Sequence, residues 1–473
     1  MRAAPLRPAR ANGAAAAMPM PDPTIMQSLG FGLLVAFLFM IFSRVFELYF
    51  TSLHVPGISY RLMGLYLVLT GSLFVAFRDR IGLYAIGFTA FFLLSIPFSV
   101  WRFGSWQTLT DEWLIGLVVF LATASLITDF RQYTRAAKGI AAAILFLTIT
   151  CSTRGNMDSG RLYLEYGRFS NPNEMAQALL IGMPFWWALY SLWRPVFAKV
   201  AAAGIQALML YIISKTGSRG ALIALLAIVI VMFIRASVLG KMKVLVGAAL
   251  LLMLAALTLP GDLKQRYQTF FAEDETEVPV SPEPLAQAGQ PDDSAMMASA
   301  VSSSAARRDM LRRSLILTLR HPLLGVGPGQ FMVAEDNMER AEGKRRGAWI
   351  GTHNSFTEVS SECGIPAFLF FIGIVFRSWR ESHKLYRRTR GNPALKEISC
   401  HALALNYSLV AFLVTGLFIH AAYTALLPVL AGMTMSLLRT AQPMLRQQQP
   451  TRLETIPVFR RAQTKPVPVA AAR

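Results

Sequence analysis

The residues best suited to chemistry in this chain are a few cations and one histidine, held in short polar clusters between apolar runs. The first cluster, residues 214–220, places Lys215 and Arg219 four positions apart beside glycine and serine. On a helix this spacing puts both cations on one face, and small neighbours let a ligand approach. Cations that snorkel at a helix end are the alternative. We favour an anion-binding site, because cations at a helix N-terminus oppose the helix dipole.

The second cluster is Gly351-Thr-His353-Asn354-Ser355, at the start of a later apolar run. Ser355 and Glu358 have the spacing of a capping box, which explains both residues by structure alone. His353 lies just outside that cap. A helix N-terminus disfavours an imidazolium, so we expect a neutral imidazole that accepts a proton, with Asn354 beside it as a candidate for substrate binding.

An arginine-bearing segment precedes the second cluster, and residues 307–320 are predicted to form an amphipathic helix. One side of this helix carries Met310, Leu311, Ser314, Leu315 and Thr318. We interpret Arg312 and Arg313 as a solvated basic face. Arg307 or Arg308, where the helix begins, is the better candidate for substrate binding, because guanidinium forks suit diphosphate recognition.

The loop of residues 154–173 ends in Asn171-Pro-Asn173-Glu174, which is a good turn and helix N-cap. Structure alone explains this sequence. Binding of sugar hydroxyls by Asn171 and Asn173 is a secondary prediction.

Sequence patterns of metal or nucleotide chemistry are missing. The chain has no His-x-x-Glu-His or Asp-x-Asp pattern, no paired carboxylates and no ATP-binding loop. Most acids of the outer side fall within residues 273–306, and the glycines at 325, 327 and 329 lack the context of a dinucleotide loop. We therefore expect neither a metal ion nor another cofactor.

The three cysteines show no metal-like spacing. A bridge between Cys151 and Cys363 is conceivable, since both are expected near the outer face. We favour the alternative that these residues are inert apolar thiols.

Composition indicates a membrane protein. The 473 residues are 54% hydrophobic and only 15% charged, which is too apolar for an ordinary soluble domain. The largest blocks behind the formal net charge of +19 lie beside apolar runs, at residues 377–396 and 439–473. This placement indicates topology control and attraction to anionic lipids in the bilayer, and argues against nucleic-acid binding.

Apolar runs of about 20 residues, the length that crosses a bilayer, recur along the chain. They predict an all-α polytopic membrane protein with about twelve transmembrane helices. The predicted spans are residues 28–50, 60–77, 81–100, 112–128, 137–151, 174–193, 198–213, 218–234, 242–260, 354–376, 400–419 and 421–438.

Basic residues predict the topology. With residues 1–27 as a disordered cytoplasmic N-terminus, every short cytoplasmic connection is basic, and the basic tail of residues 439–473 is also cytoplasmic. Transmembrane helices 1–9 then occupy residues 28–260, and helices 10–12 occupy residues 354–438. Between helices 9 and 10 lies a large periplasmic loop, residues 261–353, in which the composition of residues 273–306 is typical of a disordered insert.

Four motifs in order resemble the O-antigen ligase and O-antigen polymerase superfamily of bacterial envelope enzymes. They are Phe169-Ser-Asn-Pro-Asn-Glu174, then Gly217-Ser-Arg-Gly220, then an arginine entering a helix that ends His321-Pro-Leu-Leu-Gly-Val-Gly327, then His353-Asn354 followed by Glu362-x-Gly364. The resemblance covers roughly residues 165–375.

This resemblance implies a metal-independent, inverting glycosyltransferase in the bacterial inner membrane, with its active site facing the periplasm. The implied donor is an undecaprenyl-diphosphate-linked glycan, and the acceptor is lipid A-core or a glycan, in lipopolysaccharide or exopolysaccharide biosynthesis. Arg219 and the helix-entry arginine, Arg307 by spacing or its neighbour Arg308, are implied to bind the diphosphate, and His353 is implied to be catalytic. From its position near Arg219, Lys215 is a further candidate for substrate binding. Ligase and polymerase stay open as alternatives, and a non-enzymatic polyprenyl-glycan transporter is the alternative of another class.

Overall fold

The structure, a computed structural model, describes residues 25–50, 55–158, 160–165, 167–258, 261, 293–343 and 349–448. This part of the chain is almost entirely helical. The helices are α1 (Ile25–Ser43), α2 (Val45–Tyr49), α3 (Val55–Thr70), α4 (Arg80–Ser95), α5 (Arg102–Thr108), α6 (Leu114–Leu126), α7 (Phe130–Arg154), α8 (Pro172–Leu192), α9 (Val196–Lys215), α10 (Arg219–Arg235), α11 (Val238–Thr258), α12 (Asp293–Arg320), α13 (Phe331–Ala341), α14 (Ser355–Thr389), α15 (Lys396–Thr415) and α16 (Leu426–Gln447).

Shorter elements connect these helices. Strands β1 (Asn156–Asp158) and β2 (Arg161–Tyr163) form an antiparallel hairpin. Short 3-10 helices are Ser72–Arg78, Ile96–Phe98, Gly167–Ser170 and Pro393–Leu395, and Leu109–Trp113 is a turn of π-helix.

The predicted all-α polytopic architecture is confirmed. Within the described ranges, eight helical segments are long and apolar enough to cross a membrane, and α3 with the bent segment Ser72–Arg78 adds a ninth if the pair is one span. Such runs form helices because lipid offers no hydrogen-bond partner to a bare backbone. Helices α10, α11 and α16 occupy the other predicted spans, and the count of twelve stays a prediction.

The three C-terminal helices pack against earlier helices of the bundle. Helix α14 packs against α4, α15 against α8, and α16 against α6. Buried aromatic rings fill the space where α4, α6 and α14 meet. Phe88 contacts Trp113 edge-to-face with ring centroids 4.6 Å apart, and Phe92 contacts Tyr423 at 5.1 Å. These contacts fix the segment between α15 and α16, to which Tyr423 belongs.

Segments that the topology predicts to be cytoplasmic contact one another. A guanidinium nitrogen of Arg235, at the end of α10, lies 2.8 Å from Nδ1 of His383 on α14. The side-chain amide of Asn392 donates to Gln448 Oε1 at 3.2 Å. Three regions assigned to one side of the membrane therefore meet at one end of the bundle.

We expect cysteines introduced at Ser303 and Gln448 to react with a membrane-impermeant thiol reagent from opposite sides of the membrane, because the basic connections predict that Gln448 is cytoplasmic. Labelling in intact and permeabilised spheroplasts measures this, after the three native cysteines have been replaced. Labelling of both positions from the same side would contradict the topology.

Helix α12 begins earlier than the sequence predicted. Residues 293–306, assigned to the disordered insert, are helical and continuous with residues 307–320. The boundary at residue 307 was wrong, because the alanines and methionines of this stretch are strong helix formers that offset its serines. Residues 273–292 of that insert lie outside the described residues.

The exposed and buried faces of α12 also differ from the prediction. Leu311 and Leu315 are 37% and 48% exposed, while Met310 and Leu317 are buried. Arg313 does not lie on a solvated face.

The guanidinium of Arg313 contacts Asp309 at 2.8 Å, Glu335 at 3.7 Å and also Glu339. Helix α13 supplies Glu335 and Glu339, and it covers Arg313 because charge pairing compensates the lost hydration.

Three glycines let the loop after α12 dock on α14. Gly364 (φ 85°) breaks α14, and a Cβ at this position would lie 2.3 Å from the Leu323 carbonyl oxygen. A Cβ at Gly325 (φ 65°) would lie 2.2 Å from the Glu362 carbonyl carbon. The Gly327 N–H donates to the Glu362 carbonyl at 2.9 Å. The spacing Glu362-x-Gly364 therefore serves a close backbone contact that only glycine permits.

The three cysteines are buried and free, so the alternative of a bridge between Cys151 and Cys363 is wrong. The Sγ atom of Cys151 lies 3.3 Å from Sδ of Met175, and the Sγ atom of Cys363 lies 3.4 Å from the Tyr423 hydroxyl. Their interpretation as apolar thiols is confirmed.

Candidate active site

Most of the predicted site residues line one pocket of about 280 Å³, which we call the basic pocket. Its walls come from the start of α10, α12, the residues before α14, and the segment after α15. The lining residues are Arg219, Gly220, Ile223, Arg307, Arg308, Leu311, Thr352, His353, Asn354, Leu417 and Phe418. The polar clusters singled out in the sequence therefore converge, although about 130 residues separate the first from the last.

Arg219 is the first residue of α10, and Lys215 is the last residue of α9. Gly217 (φ 61°) reverses the chain between the two helices, and Ser218 caps α10. The prediction that both cations share one helical face was wrong, because a left-handed glycine ends a helix. The Lys215 ammonium lies over the ring of Tyr211, 4.8 Å from its centroid, and Lys215 does not line the basic pocket.

Asn171 and Asn173 have structural contacts and also lie outside the basic pocket. Asn171 caps α8 by accepting a hydrogen bond from the Asn173 N–H at 3.0 Å. The Asn173 side chain accepts from Arg161 at 3.0 Å, and the same guanidinium donates to the Thr216 carbonyl at 2.9 Å. Arg161 thereby ties the start of α8 to the turn that precedes Arg219.

His353 adopts a left-handed backbone conformation (φ 49°), which residues other than glycine seldom take. Its ring packs edge-on against that of His420, with centroids 5.3 Å apart. Burial lowers the pKa of His353 to about 4, and the positive charge of Arg307 contributes to the shift. The imidazole is therefore neutral near pH 7, as the sequence predicted. The prediction relied on the helix N-terminus, whereas burial is the main cause of the lowered pKa.

Asn354 caps α14: its side-chain oxygen accepts from the N–H groups of Phe356 and Thr357, at 2.9 and 3.1 Å. The capping box predicted for Ser355 and Glu358 was wrong. Asparagine and serine are equally good caps, and with Asn354 in that role the Ser355 hydroxyl donates to the Ile419 carbonyl at 2.6 Å. This bond joins the start of α14 to the segment after α15.

Glu358 and Glu362 lie one helical turn apart on α14 and are only 8% and 4% exposed. Glu358 accepts from the Ala422 N–H at 3.0 Å. Glu362 accepts from the N–H groups of Gly329 and Phe331, at 2.7 and 3.0 Å, and from the Tyr423 hydroxyl at 2.8 Å. The prediction that the chain has no paired carboxylates was therefore wrong. The i, i+4 spacing of Glu358 and Glu362 indicates such a pair, because residues four apart lie on one face of a helix.

Both glutamates line a second cavity, of about 470 Å³, which we call the acidic cavity. Arg168 also lines it, 2.7 Å from Glu112 and 3.6 Å from Glu174. Sequence analysis missed these residues because they lie on separate elements. The lining residues are Thr108, Glu112, Arg168, Glu174, Gly329, Phe331, Met332, Gly351, Thr352, Glu358, Glu362, His420 and Tyr423.

Fold and site together define a polytopic helical membrane protein with an arginine-lined pocket beside a neutral histidine. A family model described as O-antigen ligase matches residues 204–372, from α9 to the middle of α14. Residues 204–372 thus resemble the O-antigen ligase family, and this match confirms the resemblance predicted from the motifs of that range. The basic pocket lies largely within this match, whereas Asn171 and Asn173 precede it.

No curated protein matches the chain significantly. The family match supports, in general terms, glycosyl transfer of the O-antigen ligase or polymerase type. Together with the membrane helices it fits a multi-pass protein of the bacterial inner membrane.

Proposed function

We propose that this protein transfers a glycan from undecaprenyl diphosphate to an acceptor hydroxyl at the periplasmic face of the inner membrane, with inversion and without a metal ion. The observation that carries the proposal is the convergence of Arg219, Arg307, Arg308 and His353 on one pocket. The O-antigen ligase match over the same residues supports the class of reaction.

The reaction is a single displacement at the anomeric carbon of the donor. The acceptor oxygen bonds to that carbon while the bond from the carbon to the diphosphate oxygen breaks. The electron pair of the broken bond leaves with undecaprenyl diphosphate, and the hydroxyl proton passes to the imidazole of His353. A neutral imidazole is required for this step, and the low pKa of His353 supplies it.

The arginines act on the leaving group. As the anomeric bond breaks, negative charge grows on the diphosphate, and guanidinium groups stabilise this charge with paired hydrogen bonds. Arg219 also begins α10, where the N–H groups of the first turn and the helix dipole favour an anion. These groups supply the charge for which other transferases use a divalent cation, so we propose that the reaction is metal-independent.

Reconstitution tests the proposal. Purified protein in proteoliposomes receives undecaprenyl-diphosphate-linked glycan, with either lipid A-core or a second lipid-linked glycan as the acceptor. We expect a glycosylated acceptor whose new linkage has the inverted anomeric configuration, at a rate that excess EDTA leaves unchanged. The acceptor that is used distinguishes a ligase from a repeat-unit polymerase. Failure to transfer to either acceptor, or loss of transfer on chelation, would contradict the proposal.

A further inference from the structure

The acidic cavity adjoins the basic pocket. Thr352 lines both spaces. His353 lines the basic pocket and packs against His420, which lines the acidic cavity. The imidazole of His353 thus lies beside the boundary between two spaces, each large enough for one sugar unit of a substrate.

The two spaces differ in charge. Three arginines line the basic pocket. Four glutamates and one arginine line the acidic cavity. Phosphate oxygens are attracted to the guanidinium groups of the first space. The carboxyl oxygens of the second space accept hydrogen bonds, so they suit the hydroxyl donors of a sugar.

Glu358 has an oxygen positioned for such a donor. Among the described residues, the one hydrogen bond to its carboxyl group runs from the Ala422 N–H to Oε2. The side chain is more than nine-tenths buried and lines the cavity, so Oε1 can bind a ligand within it. A ligand hydroxyl in the cavity can therefore donate a hydrogen bond to this oxygen.

A metal ion fits this cavity poorly. Glu112 and Glu174 already pair with Arg168, and the Glu362 carboxyl accepts three hydrogen bonds from protein donors. A cation would have to displace these partners. A neutral ligand rich in hydroxyl groups fits without displacing any of them.

We propose that the acidic cavity is the acceptor subsite and binds a sugar of the acceptor, with Glu358 accepting a hydrogen bond from one of its hydroxyls. Another hydroxyl of that sugar then lies beside His353. It approaches the anomeric carbon of the donor from the side opposite to the diphosphate, as a single displacement requires. This inference rests on the proposed function.

The variant Glu358→Gln tests the subsite, because it replaces one carboxyl oxygen with an amide NH2 group, which donates and does not accept hydrogen bonds, and keeps the size of the side chain. We expect the KM for the acceptor that wild type uses, lipid A-core or lipid-linked glycan, to rise about tenfold, with the donor KM unchanged. Glu381→Gln is the matched control: Glu381 lies on the same helix outside both spaces and pairs with Lys384 at 3.2 Å. This control should leave both KM values at the wild-type level.

A second variant, Met332→Trp, fills the acidic cavity from α13 and decides the question if Glu358→Gln does not fold. It should also raise the acceptor KM and leave the donor KM unchanged. Acceptor KM values that stay at the wild-type level, or that rise together with the donor KM, overturn the subsite while the proposed function stands. A wild-type protein that transfers to neither acceptor overturns the proposed function itself.

Discussion

Replacing Arg219 with alanine is expected to lower the rate of glycan transfer about 100- to 1000-fold, the usual loss when one strong donor to a developing charge is removed. Arg219 lies at the first residue of α10 and lines the basic pocket with Arg307 and Arg308. In the proposed reaction, the guanidinium and the helix terminus act on the same leaving group. The variant should insert and fold normally, since Ser218, which caps α10, is kept.

Arg219→Lys should recover only part of the rate, because an ammonium group keeps the charge and loses the two-pronged geometry. Initial rates in proteoliposomes measure both variants. Arg312→Ala is the matched control, since Arg312 is an exposed arginine on α12 that does not line the basic pocket. Rates close to wild type for Arg219→Ala would remove Arg219 from the mechanism.

His353→Ala is expected to lower transfer by about 100- to 10,000-fold, the range that a positioned general base contributes. Donor affinity should be nearly unchanged, because the arginines that we propose to bind the diphosphate remain. His321→Ala serves as the control, since His321 is exposed and lies outside both spaces. An equal loss in both variants would indicate a general effect on folding.

The pH profile distinguishes a base from a residue that only fills space. Burial lowers the pKa of His353 to about 4. The neutral, proton-accepting form is therefore present above that pH and is lost as the pH falls through it. Transfer by wild type should stay level from about pH 8 to about pH 5 and decline below that, and the residual rate of His353→Ala should lack this decline. A decline centred near pH 6.5 in wild type would contradict the assigned environment of His353.

The sequence was most informative where a residue type and its neighbours sufficed. Arg219, Arg307, Arg308, His353 and Asn354 were identified because each is a polar residue that nothing in a lipid-embedded helix explains, and all five line the basic pocket. The helices were predictable for a related reason. Apolar runs of span length have one favourable backbone conformation in lipid.

Errors arose where local chemistry allowed two answers. Lys215 and Arg219 have helical spacing, yet Gly217 and Ser218 end one helix and begin another between them. Asn354 and Ser355 are both good caps, and only the contact between Ser355 and Ile419 separates their roles.

The acidic cavity was missed for a different reason. Its glutamates come from three helical segments and form one site only through tertiary packing. No spacing in the sequence relates Glu112 and Glu174 to Glu358. The pairs on Arg168 become visible only when the bundle is assembled.

The affinity for undecaprenyl diphosphate itself tests the central claim most directly. We expect wild-type protein in nanodiscs to bind this lipid, and Arg219→Ala and Arg307→Ala each to weaken the Kd at least about tenfold. Arg312→Ala should bind like wild type, and Arg308→Ala, measured in parallel, shows which helix-entry arginine contributes more. Unchanged affinity in both Arg219→Ala and Arg307→Ala would contradict the assignment of the basic pocket to the diphosphate.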